Sequence, residues 1–251
     1  MSQLCQHLFS TVINTFENNQ SAAARVSGYS EPKKCAIITL AEKAYVSLRK
    51  DIVEGCFAAE SPLRLADLSK RYGMGFSPLR EALNRLQAER LATAESLRGF
   101  RVSPLSLHEF EDALHARLLV ETEALRLSIA KGNDAWEASV VATFYALRQQ
   151  TKRKGGDVDE LRTRHHAFHR SLLAACGSDW LLDFFERLYA ATERYRIPAL
   201  LAAGPQKRDI DSEHGAIADA VLARDANRAE AILREHYLRT AVTIRPAMET
   251  A

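Results

Sequence analysis

Proline is absent from residue 105 to residue 197, a run of 93 residues in a chain of 251. Proline breaks helix interiors and glycine weakens them. The four glycines of this run fall at three places only: Gly132, the pair Gly155-Gly156, and Gly177. Each place reads as a helix stop and is followed by a start signal. Asp134 with Glu137, Asp157 with Glu160, and Ser178 ahead of Trp180-Leu181-Leu182 all have the form of N-caps. Ser106 with Glu109, just past Pro104, is a capping-box pattern for the first helix. Two more helices fit 206–223 and 225–244, the last capped by Asp225. Residues 105–246 are therefore expected to form an all-helical domain of about six helices.

The segment before it reads differently. Thr39 with Glu42 opens a helix that runs to about Gly55, and a second over 64–72 is stopped by Gly73. A third starts with Ser77 as N-cap and Pro78 at the first helical position, and reaches about Arg90. Leu91-Ala92-Thr93 and Phe100-Arg101-Val102 then flank Ser96–Gly99, a hairpin pattern with glycine at the turn. Three helices and a hairpin in about 65 residues have the layout of a winged helix-turn-helix. The expected fold is mainly α, an N-terminal winged helix-turn-helix followed by a C-terminal all-helical bundle. The expected boundaries are a mobile tail over 1–36, the winged domain over 37–103 and the helical domain over 104–251, hinged near Ser103-Pro104-Leu105.

Composition narrows the function classes. At 47% hydrophobic and 26% charged, the chain is of ordinary globular type. Its four cysteines, at 5, 35, 56 and 176, form no CxxC pair, so neither a zinc knuckle nor a disulfide framework is expected. Free thiols fit a reducing cytoplasm. No apolar run approaches the roughly 20 residues that a membrane span needs, and no secretory signal is evident. A cytoplasmic protein without a membrane partner is expected.

The formal net charge of +2 conceals an asymmetry. Residues 33–103 hold 13 basic and 8 acidic side chains, a net of +5, which leaves −3 on the remainder. Phosphate contacts need such a positive surface. In the helix at 77–90, Leu79, Leu83 and Leu86 make an apolar stripe, while Arg80, Asn84 and Arg85 lie near one another. A recognition helix has this form: the stripe docks on its own domain and the polar residues face bases or phosphates. Arg98 and Arg101 bracket Gly99 at the wing, within reach of backbone or minor groove. Double-stranded DNA is the expected partner.

Histidines mark a second constellation. His165 and His169 are four apart and share one helix face. His214 and His236 follow at wide intervals on two further expected helices. Two ligands at i, i+4 plus one from each of two other helices is how bundles build metal sites. Imidazole suits a divalent transition metal such as Zn²⁺, Ni²⁺, Cu²⁺ or Fe²⁺. Spacing alone does not show that these helices converge.

Phe76-Ser77-Pro78-Leu79-Arg80-Glu81-Ala82-Leu83, with Glu89-Arg90-Leu91 and Arg98-Gly99-Phe100-Arg101-Val102 after it, resembles the DNA-binding signature of GntR-type bacterial regulators. That family usually carries Ser-Arg where this chain has Gly75-Phe76, so one expected DNA-contacting arginine is missing. Ser77 and Arg80 match the remaining contact positions. His165-His166-Ala167-Phe168-His169, Glu213-His214 and His236-Tyr237-Leu238 resemble the metal positions of the FCD effector domain of the FadR subgroup. The resemblance implies metal ligation by His165, His169, His214 and His236, with His165 where Asp or Asn is usual and His166 off the ligand face. Zinc is the leading metal, with nickel or others possible.

The resemblance also implies a homodimeric repressor answering to an organic acid. The likeness extends to members that repress genes for glutarate and 4-aminobutyrate breakdown, which makes glutarate the implied effector. Four neutral imidazoles leave a divalent metal uncompensated, and a carboxylate effector would lower the cost of burying it. Arg117 sits where this domain type places an inward arginine, suited to clamp a second carboxylate, and Arg196 is a further candidate. Three rivals remain open: a metalloenzyme, a metal sensor, and the same regulator with another organic acid. No clear carboxylate base stands beside the histidines in the sequence, so no enzymatic activity is expected.

Overall fold

A computed structural model of the chain describes residues 39–95, 99–153, 157–202 and 208–249. The expected tail over 1–36 lies outside them. The first described helix, α1 (Leu40–Val53), starts where Thr39 accepts a hydrogen bond from the Glu42 amide at 3.1 Å. Ala44, Leu48 and Ile52 recur at helical spacing and are its buried stripe. α2 (Leu65–Tyr72) ends at Gly73, whose φ of 64° places it in the left-handed region that a glycine occupies without a Cβ penalty.

α3 (Phe76–Ala88) begins earlier than expected. Gly75 is its N-cap, with no side-chain cap bond, so Ser77 is not the cap and Pro78 stands in third position. Proline is tolerated there because the first four amides of a helix have no intrahelical acceptor. Strands β2 (Ala92–Glu95) and β3 (Gly99–Val102) pair antiparallel as the wing. A third strand, β1 (Pro62–Leu63), pairs with β3 and places Leu63 opposite Phe100. Two residues are too short to show the alternation that reveals a strand, so β1 was not foreseen.

Six helices follow: α4 (Leu107–Lys131), α5 (Asp134–Thr151), α6 (Val158–Leu173), α7 (Asp179–Ala202), α8 (Ile210–Leu222) and α9 (Ala226–Glu249). Ser106 caps α4 by accepting from the Glu109 amide, and Asp157 caps α6 through the Asp159 amide. α5 is capped by Asn133, one residue before the expected Asp134. Asp209 caps α8, which starts four residues after the expected 206, and Asp225 accepts from the Arg228 amide at 3.0 Å at the head of α9. Two helices run past a proline: α7 through Pro198 and α9 through Pro246. One missing amide near a helix end costs less than the packing of the remaining turns supplies.

Two buried clusters hold the fold together. One gathers Phe110, Leu125, Phe168, Phe185, Ile217, Val221 and Leu233 inside the six-helix bundle. The other lies in the winged domain around Leu48, Leu68, Leu79, Leu83 and Leu86, and Ala190 of α7 belongs to it. The helical domain thus plugs directly into the base of the winged domain. The connecting segment is tied down as well. Arg194 donates to the Ser103 carbonyl at 2.6 Å, and the Ser106 amide donates to the Tyr195 hydroxyl at 3.3 Å.

Candidate functional site

α3 has two unlike faces. Leu79, Ala82, Leu83 and Leu86 are fully buried. Ser77, Arg80 and Asn84 are exposed on the other side and line a shallow groove with Phe76 and Glu81. Arg85 departs from the expected outward cluster. Its Nη1 donates to Glu42 at 2.6 Å, and its guanidinium stands 3.7 Å from the Tyr45 ring centroid, so it is engaged with α1. In the wing, Arg101 bonds Glu95 and donates to the Glu60 carbonyl at 2.9 Å. Gly99 is exposed with a φ of 92°, a conformation that side chains rarely adopt. Arg98 lies outside the described residues.

The second constellation is buried. α6 carries His165 and His169 one turn apart, α8 carries His214, and α9 carries His236. Each offers a nitrogen, and these four atoms all lie within 4.8 Å of one another. Helices that are remote in sequence therefore converge on one point.

Hydrogen bonds orient three of the rings. His165 Nδ1 meets the Tyr189 hydroxyl at 2.9 Å, His169 Nδ1 the Tyr237 hydroxyl at 3.0 Å, and His236 Nδ1 the Glu213 carboxylate at 2.8 Å. Partners on Nδ1 leave Nε2 of each ring as the nitrogen for a common ligand, as around metal-ligating histidines generally. His169 Nε2 and both ring nitrogens of His214 are buried without a hydrogen-bond partner. Buried polar atoms are rarely left so, and a cation at the centre would satisfy His169 Nε2 and one nitrogen of His214.

Burial, reinforced by the Arg196 charge and the neighbouring rings, holds His165 well below the usual histidine pKa. Burial dominates at His169 and His214 too. At His236 burial again lowers the pKa, against an opposing hydrogen bond to the Glu213 carboxylate. The rings are neutral near pH 7, and neutral nitrogen lone pairs are what a transition metal takes. His166 points elsewhere and pairs with Glu186 at 2.8 Å.

Both expected effector arginines line the adjoining cavity, together with His165, His236, Tyr237 and an arginine that the sequence did not single out, Arg208. None stands alone. Arg117 is ion-paired with Glu121 and donates to Thr192 at 2.8 Å and to the Tyr237 hydroxyl at 3.1 Å. Burial works against its charge, but the Glu121 carboxylate outweighs that and raises its pKa. Arg196 grips Glu193 through two bonds of 2.7 and 2.5 Å. Arg208 grips Glu213 in the same way and donates to the His236 carbonyl at 2.9 Å.

A carboxylate does stand beside the histidines, Glu213, though not as a base. Burial opposes its ionisation, yet the hydrogen bonds from Arg208 and His236 hold its pKa well below the usual range. An anion so held positions His236 and is poorly suited to take up a proton. Its place beside His214 in the sequence was a usable signal. Tyr189 and Arg208 carried none, because nothing local ties them to the histidines.

Comparison with known proteins adds a family. The bacterial regulatory proteins of the gntR family match residues 40–102, and the FCD domain matches residues 112–239. The HTH-type transcriptional repressor GlaR of Escherichia coli (strain K12) is 38% identical over 209 residues, covering 81% of this chain and 95% of that protein. The uncharacterized HTH-type transcriptional regulator BphR of Paraburkholderia xenovorans (strain LB400) is 38% identical over 202 residues, covering 79% and 82%. Among solved structures, E. coli McbR/YncC superposes with a TM-score of 0.74 at 17% identity, over 84% of this chain and 99% of that one. At that identity the likeness speaks for the fold alone.

Proposed function

The chain belongs to the gntR family of bacterial regulatory proteins and carries an FCD domain, and from that premise we propose that it is a cytoplasmic, homodimeric repressor whose operator binding answers to a dicarboxylate such as glutarate held beside a metal. The families matched and the relatives named are regulators, which supports a regulator over an enzyme. GlaR is a repressor by name, and that likeness supports the direction of control. The observation that carries the pocket reading is the convergence of four buried histidine nitrogens, with those of His169 and His214 lacking a partner.

Charge accounting supports an anionic effector. Arg117 with Glu121, Arg196 with Glu193 and Arg208 with Glu213 are three balanced pairs. The histidines are neutral. A divalent ion, with zinc the leading candidate and nickel another, would therefore be the one uncompensated charge in the pocket, and a diacid supplies two negative charges. When bound, such a metal supplies a Lewis-acid site for one carboxylate. Arg117 and Arg196, both lining the cavity, are placed to receive the other.

Space supplies the coupling. The cavity has a volume of about 30 Å³, room for about one or two waters. A diacid enters only if the lining gives way, so it binds the widened arrangement better than the closed one, as a population shift requires. Tyr189 of α7 touches His165, and the next residue, Ala190, sits in the winged-domain core. On α6, Arg162 precedes the first expected ligand by one turn and pairs with Glu54, the C-cap of α1. Displacement of either helix is thereby felt at the DNA-binding domain.

Self-association is supported by an apolar face. Trp180 and Phe184 of α7 are 72% and 42% exposed, and Phe184 borders a groove with Ala113, Ala116 and Val120 of α4. A two-fold dimer would offer two α3 helices to a palindromic site.

A second reading has one observation in its favour. Four histidines complete a tetrahedral zinc site and leave no open position for an acid. In that case the metal itself would be the signal. A gel shift on the DNA upstream of this gene separates the readings, using metal-loaded and chelator-stripped protein titrated with a dicarboxylate panel. Release of the loaded protein by one diacid is expected. A response to metal alone, with indifference to every acid, would establish the sensor instead.

A further inference from the structure

Phe76 is the first residue of α3 and is 54% exposed. It begins a row. Phe76, Arg80 and Asn84 succeed one another at i, i+4 and i+8, and all three are exposed along the edge of the buried stripe of Leu79, Leu83 and Leu86. The groove they line with Ser77 and Glu81 is shallow and open. A ring uncovered in water at the head of a polar row gains if the surface that meets this row offers an apolar group.

The first turn sharpens the point. α1, α2 and α4 each carry an acidic side chain in their first turn, and α3 carries none. Its amino end therefore keeps its partial positive charge, which favours approach to phosphates. A residue at that end of a recognition helix is among those that reach base edges. In the major groove the apolar feature of a base edge is the thymine 5-methyl group, and phenylalanine is one of the side chains that contact it.

We propose that Phe76 is a specificity-determining residue that reads a thymine methyl in each operator half-site. Arg80 and Asn84, farther along the same row, read a guanine and an adenine edge. The inference rests on the reading of α3 as the DNA-facing helix. It follows that the half-site has an A·T pair, with its methyl in the major groove, under the amino end of α3. A contact of a phenyl ring with that methyl makes no hydrogen bond, so it is lost when the one carbon is removed and every hydrogen-bonding group of the base is kept.

The test is selection from a randomised duplex library by the purified full-length protein, followed by replacement of each selected thymine with uracil. Uracil keeps every hydrogen-bonding group and lacks the methyl. One thymine per half-site is expected to be uracil-sensitive, with affinity falling about fourfold, the worth of one buried carbon. F76A should lose the preference at that position alone and be indifferent to uracil there, while F76L retains it. Circular dichroism and gel filtration check that F76A keeps its fold and its oligomeric state.

If F76A selects the same motif at every position with equal affinity, the inference is overturned. It is also overturned if F76A changes the oligomeric state, which would make Phe76 a protein-contact residue. Failure of R80A and N84A to disturb the motif, or absence of any selected motif, overturns the reading of α3 itself.

Discussion

Helix α3 and the histidine pocket are built on opposite terms. On α3, Arg80 and Asn84 stand exposed, where solvent can satisfy them. In the pocket, every arginine brings its own glutamate and three imidazoles lean on a hydroxyl or carboxylate. The reason is dielectric. An exposed charge is cheap to leave single, whereas a buried one must be paired or it destabilises the fold. An exposed site can thus be read off one helix, and a buried site needs a shell drawn from many.

The largest effect that would break this contrast lies at Glu121. Glu121→Ala leaves Arg117 buried without its carboxylate, and the expected loss is about 3–5 kcal/mol of folding stability, read from the denaturant midpoint. A loss under about 1 kcal/mol would mean that the pair behaves like a surface ion pair. Arg80→Ala comes next. It should weaken operator binding by about 1–3 kcal/mol with no change in thermal midpoint, because its side chain supports nothing in the fold.

Glu213→Gln keeps the shape around His236 and removes the charge. A fall of roughly 10- to 100-fold in metal affinity is expected, measured by titration against a metallochromic indicator. An unchanged affinity would show that Glu213 does not orient the ring. Arg85→Gln is the smallest change. Because Arg85 is held by Glu42 and Tyr45, operator affinity should move by less than about 1 kcal/mol. An effect equal to that of Arg80→Ala would return Arg85 to the DNA-facing set.

Legibility follows the same division. The stripe of Leu79, Leu83 and Leu86 and the caps at Thr39, Ser106 and Asp157 are local patterns, and the structure has them where the spacing put them. The cap of α3 slipped to Gly75 because a glycine offers no side-chain signal, while Ser77-Pro78 offers a plausible one two residues late. Arg85 looked outward on a helical wheel. Only α1, lying across α3, supplies the glutamate and the ring that hold it. Arg208 was missed because its glutamate and its histidine come from α8 and α9, and the spacing of 28 residues to His236 has no helical meaning.

The Pro-free run, with its glycines at three places, by itself determined that the second half of this chain is a set of long helices. The charge split and the motif at 76–91 likewise determined that the first half faces nucleic acid. These are properties of periodicity and local conformation, which neighbouring residues fix among themselves. Tertiary structure alone decided that α6, α8 and α9 bring His165, His169, His214 and His236 to one point, and that three arginines arrive there already neutralised. Distances between segments far apart in sequence are set by how the apolar faces pack, and no local pattern carries them.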